Sequence, residues 1–178
     1  MAPLRRLCLC LCLPLLLPPP AAPAPTPRTD WAACGSLSRE LSRLVATLKE
    51  PYRVLEETHL SEEDPENWPP RIRCSDACDP STLDTNNTRC LRRILQGLQH
   101  YQDLLGSDIF TERPLPQLET TLARLLGLVQ QEHGRPPRHP MAPSEAWAHA
   151  PLQRLALQRL QSFAAIMSRV FTHSASAR

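Results

Sequence analysis

Reactive chemistry in this 178-residue chain concentrates in one run, CSDACDPSTLDTNNTRC, from Cys74 to Cys90. It holds three thiols and a glycosylation sequon, Asn86-Asn87-Thr88, with Asn86 as the sugar acceptor. Three thiols cannot all pair among themselves, and an oxidising compartment rarely leaves an exposed thiol unused. Cys78 and Cys90 flank a turn-rich segment opened by Asp79-Pro80. Closing that loop would restrain the unfolded chain by about 3 kcal/mol in the chain-entropy picture. Cys74 follows the polar, proline-flanked run Pro69-Pro70-Arg71-Ile72-Arg73, which favours solvent over a core. Three pairings follow. Cys74 bonds to a second chain, or it pairs with Cys34, or it exchanges roles with Cys78.

Other chemistries find little support. There is no nucleophile elbow, no HExxH and no phosphate-binding glycine loop, so an enzyme is not expected. Only 5 glycines occur in the whole chain, too few for a glycine-rich cradle, and no cofactor is expected. His133 and His139 lack a third ligand at metal-binding spacing, so no metal is expected either. The formal net charge of +2, with no long basic run, gives no bulk attraction to nucleic acid.

Residues 1–24 read as a secretory leader. Arg5 and Arg6 precede the apolar run Leu7–Leu17, and small residues follow at Ala21, Ala22 and Ala24. Pro23 and Pro25 crowd the cleavage region, which spans residues 21–28. The apolar run is too short for a membrane span, and no second long apolar run follows. Removing the leader takes Cys8, Cys10 and Cys12 with it and leaves four of the 7 cysteines. The mature chain, 29–178, is expected outside the cell as one domain.

The elements that position the cysteine block are set by proline. There are 20 prolines, yet four stretches have none: Arg28–Glu50, Ser81–Arg113, Gln117–Arg135 and Leu152 to the end. Proline breaks helix interiors, so each stretch is a candidate helix. The first carries Leu37, Leu41, Leu44, Val45 and Leu48 on one face, with Cys34 a turn earlier as a core thiol. An acidic crossover follows, with Glu56, Glu57, Glu62, Glu63, Asp64 and Glu66 in a solvated loop. The second stripe is Leu91, Ile94, Leu95, Leu98, Tyr101 and Leu105, interrupted by Gly97, where a neighbouring helix can approach closely. The third is Leu118, Leu122, Leu125, Leu126 and Val129, stopped by Gly134 and Pro136-Pro137.

The fourth carries Leu152, Leu155, Ala156, Leu160, Phe163, Met167, Val170 and Phe171. Ala164, Ala165 and Ile166 widen its apolar surface beyond one core stripe, which predicts burial on two sides. Pro151 falls at its start and is expected to kink it or delay it. Arg169 lies near the small residues Ser162 and Ala165, either as an interface anchor or as a solvated charge. Trp147 precedes the helix and either caps the core or stands exposed for a partner.

With only 4% aromatic residues, leucine must carry the core. The connections run long, short, long. Long links let helices one and two, and three and four, lie parallel, whereas the short middle link forces a reversal. The expectation is an all-α, up-up-down-down four-helix bundle with long crossover connections.

The stretch CSDACDPSTLDTNNTRC, the run LLGSDIFT and the end QSFAAIMSRVF resemble the interleukin-6/interleukin-12 helical cytokine family. The similarity covers roughly Trp31 to His173. It implies a secreted subunit of a heterodimeric pro-inflammatory cytokine, disulfide-linked to interleukin-12 subunit beta. Its implied receptors are the interleukin-23 receptor and interleukin-12 receptor beta 1, acting through JAK-STAT signalling. On this resemblance Cys74 is the interchain cysteine, and Cys78 and Cys90 form the internal bridge. Arg169 meets the beta subunit, and Trp147 meets the interleukin-23 receptor. Two alternatives stand beside it: an interleukin-6-like cytokine acting alone, and a secreted amphipathic-helix lipid carrier.

Overall fold

A computed structural model describes residues 29–48, 78–79, 83, 88–138, 141 and 143–176 of the chain, and for 132 and 133 the backbone alone. Residues 1–24, read from the sequence as a leader, and the acidic crossover, Cys74, the sequon at Asn86 and His139 lie outside these residues. Four helices account for most of the rest: α1 Trp31–Leu48, α2 Thr88–Leu105, α3 Pro116–His133 and α4 His149–Ser176. Two short 3-10 turns, Asp108–Phe110 and Ala146–Ala148, lie in the links, and no strand occurs among the described residues.

Each helix end has a local cause. The Asp30 carboxylate accepts the Ala33 N–H at 2.9 Å, satisfying an otherwise orphaned donor at the start of α1. Pro116 opens α3 at a position whose N–H has no helical partner. Gly134 closes it with φ 75°, a left-handed conformation that glycine adopts without strain. α4 starts before Pro151, not after it, and runs unbroken to Ser176. Pro151 is its third residue, inside the first turn, where the missing N–H removes no helical bond. The expected kink or delay is therefore absent.

The stripes meet in one core. Leu41 and Val45 of α1, Ile94 and Leu98 of α2, Leu118, Leu122, Leu125 and Val129 of α3, and Leu160, Met167 and Phe171 of α4 are all buried. Contacts between helices fix their directions. Trp31 at the start of α1 packs on Phe171 near the end of α4, ring centroids 6.0 Å apart. Tyr101 and Gly97 of α2 meet Phe163 of α4, while Ile109, beyond the end of α2, bonds Gln153 in the second turn of α4. A groove between α1 and α3 is lined by Ala33, Leu37 and Glu40 on one side and Gln131, Leu128 and Arg124 on the other. α1 and α2 thus run one way and α3 and α4 the other, which is the up-up-down-down bundle.

The broad apolar surface of α4 is largely absorbed by this arrangement. Ala164 is fully buried, and Ile166, Leu152 and Leu155 are half-buried against the core. Among the described residues only Trp147 is a large apolar side chain left exposed. Ala165, on the same widened surface of α4, is also half-buried.

Candidate partner-binding site

Four cysteines follow residue 24, and the structure describes three of them. Cys78 and Cys90 are bonded, S–S 2.05 Å, which ties the chain before α2 to the first turn of that helix. Cys34 is free and fully buried on α1. Desolvation pushes its thiol up to about 12, with the nearby Asp30 carboxylate adding to the shift. A thiol so placed is almost never a thiolate at neutral pH.

Arg169 is exposed on α4, one turn beyond half-buried Ala165 and two beyond exposed Ser162. Its neighbours in sequence, Met167, Val170 and Phe171, are core residues, so the helix backbone that carries it is firmly held. The antiparallel register through Gly97 and Phe163 puts the first turn of α2, with Cys90, alongside the end of α4 that carries Arg169.

Trp147 stands at the other end of α4. Its residue is 80% exposed, so it does not cap the core. The 3-10 turn Ala146–Ala148 that bears it closes through the Ala148 N–H to the Glu145 carbonyl at 2.8 Å. Its flanks are fastened to the turn that follows α2. Asp108 Oδ2 accepts the Ser144 backbone N–H at 3.0 Å and the Ser144 hydroxyl at 3.4 Å. His149 Nε2 lies 4.0 Å from the same carboxylate oxygen and 3.3 Å from the Ser144 carbonyl. One turn into α4, Gln153 Nε2 donates to the Ile109 carbonyl at 2.6 Å. The Ser144 N–H, above all, holds the Asp108 carboxyl below its ordinary range. The Ile109 N–H, the Ser144 hydroxyl and His149 act in the same direction.

The structure therefore brings Arg169 and the Cys78–Cys90 bridge to one end of the bundle and puts Trp147 at the other. Between Trp147 and Arg169 the helical rise alone amounts to roughly 30 Å. Sequence reasoning does not single out Asp108. It lies 36 residues from Ser144 in sequence, and no helical or strand period reaches across that span.

Comparison with known proteins agrees with this architecture. The family model for interleukin 23 subunit alpha matches residues 29–175. Interleukin-23 subunit alpha of Rattus norvegicus is 40% identical over 158 residues, covering 83% of this chain and 81% of the relative. The Mus musculus protein of the same name is 39% identical over 160 residues, covering 83% and 81%. That of Homo sapiens is 36% identical over 156 residues, covering 82% of each. By the extent of both kinds of match, this chain belongs to the interleukin-23 subunit alpha family.

Proposed function

We propose that this chain is the secreted alpha subunit of a heterodimeric pro-inflammatory cytokine, joined by Cys74 to interleukin-12 subunit beta. The pair then binds the interleukin-23 receptor through Trp147, together with interleukin-12 receptor beta 1, and triggers JAK-STAT signalling. Family membership makes the chain a cytokine subunit and not an enzyme, and the lipid-carrier alternative falls with it. The covalent partner, the receptors and the signalling route are this proposal's own content. So are secretion through the leader at 1–24 and a sugar on Asn86.

The observation that carries the reading is the state of the cysteines. Cys78 and Cys90 satisfy each other, and Cys34 is sealed in the core without a sulfur partner. Once a leader removes Cys8, Cys10 and Cys12, Cys74 is left with no sulfur to meet inside the chain. Cys74 is four residues before Cys78, so the backbone can carry it no further than about 14 Å from that bridge. The bridge itself lies at the Arg169 end of the bundle. A beta subunit bound there would leave the Trp147 end free for a receptor.

Co-expression with interleukin-12 subunit beta tests this directly. The secreted product should run as one heavy band on a non-reducing gel and as two after reduction. Cys74→Ser should give two bands without reductant, and Cys34→Ser should not. Separate chains from the unmutated protein would reject the covalent link.

A further inference from the structure

Trp147 stands in water on a turn of three residues, at the end of an irregular link that leaves α3 at Gly134. A large apolar side chain on such a segment would ordinarily fold back onto the nearest apolar surface. Here it does not, and the reason is visible on either side of it. Three residues before Trp147, Ser144 is bonded through backbone and side chain to Asp108. Two residues after it, His149 approaches the same carboxylate oxygen. The anchor is rigid in its turn, because Ile109 and Phe110 are buried in the core at 2% and 1% exposure.

We propose that Asp108 is the positioning residue for Trp147, its carboxylate fastening the Ser144 flank of the turn so that the indole is presented already oriented. This rests on the reading of Trp147 as the receptor contact. An oriented indole loses less conformational freedom on binding than one on an unfastened link, so more of its contact energy remains as affinity. Asp108 does this from a distance. Its bonds go to the backbone and hydroxyl of Ser144, and no described contact joins it to the indole.

The experiment uses the assembled heterodimer, with two readouts on each variant. The first is amide hydrogen exchange across residues 143–149. The second is equilibrium binding to the interleukin-23 receptor ectodomain. Asp108→Ala should speed exchange in that segment, leave exchange in α2 and α3 unchanged, and weaken receptor binding about ten-fold. Asp108→Asn keeps an oxygen that accepts the Ser144 N–H and should restore most of both. Unchanged exchange in Asp108→Ala overturns the clamp, and so does a loss of binding without a change in exchange, which would mean direct contact with the receptor. Faster exchange with unaltered binding overturns its role in recognition. Trp147→Ala, run alongside, judges the underlying reading separately. If it binds like the unmutated protein, Trp147 is not the receptor contact, whereas the exchange data still decide whether the clamp exists.

Discussion

Cys34 and Cys78 are the same residue type, both buried, and have opposite chemical fates. Cys78 is bonded to a sulfur across a short loop, whereas Cys34 is free and buried within the core cluster. The difference bears on how the chain tolerates oxidants. With its thiol pushed up to about 12, Cys34 has a negligible thiolate fraction at pH 8, and its sulfur is closed to solvent. Native protein treated with iodoacetamide at pH 8 should show no label on Cys34 by peptide mass spectrometry, and full label after denaturation. Rapid native labelling would show that the N-terminal half of α1 opens more readily than its packing implies. Much of this was legible from spacing, since Cys34 falls one turn before Leu37 on the apolar stripe. The exposure of Trp147 was not. A tryptophan before an amphipathic helix fits a cap or a contact, and only the family resemblance, not the spacing, points to the exposed contact.

The helices themselves were legible because proline and leucine report different things that agree. Proline marks where a helix cannot continue, and the leucine period marks which face turns inward. The boundaries of α3 and α4 moved by one and three residues from the proline-free stretches, to Pro116 and His149. In both cases proline sits in a first turn, where it is harmless. Gly97 shows the stronger use of a single residue within an element. A Cβ there would lie 2.5 Å from Cζ and 2.8 Å from Cε2 of Phe163. Cζ lies on the axis of ring rotation, so spinning the ring gives no relief, and the ring also packs at a tilt against Tyr101, centroids 5.3 Å apart. Alanine normally improves a helix over glycine by about 1 kcal/mol. At Gly97 the steric cost should exceed that gain, giving a net destabilisation of about 1–3 kcal/mol. Denaturant melts of the heterodimer carrying Gly97→Ala would measure it. Combining it with Phe163→Leu should recover part of the loss, because the shorter side chain vacates the space. A neutral or stabilising Gly97→Ala would mean that α2 and α4 can separate freely.

For the whole molecule, the proposed division of labour is geometric. One end of the bundle offers Arg169 near the Cys78–Cys90 bridge, and the other offers Trp147. The two routes to the beta subunit, a covalent one and a non-covalent one, should therefore be separable. A disulfide makes the remaining contacts intramolecular, with an effective concentration in the millimolar range for a short tether. Arg169→Ala alone should then leave the heavy band on a non-reducing gel nearly intact. Its cost is hidden by the tether. In the Cys74→Ser background the tether is gone, and the arginine has to hold the partner by contact. An interface anchor of this kind is worth about 2 kcal/mol or more, equivalent to roughly 30-fold in affinity. Size-exclusion chromatography of Cys74→Ser with the beta subunit should show a complex that Arg169→Ala dissociates at the same concentration. Arg169 is exposed and contributes nothing to the core, so the double variant should fold as the parent does. If the doubly substituted chain still co-elutes with the beta subunit at sub-micromolar concentration, Arg169 is a solvated charge and the anchoring surface lies elsewhere on the bundle.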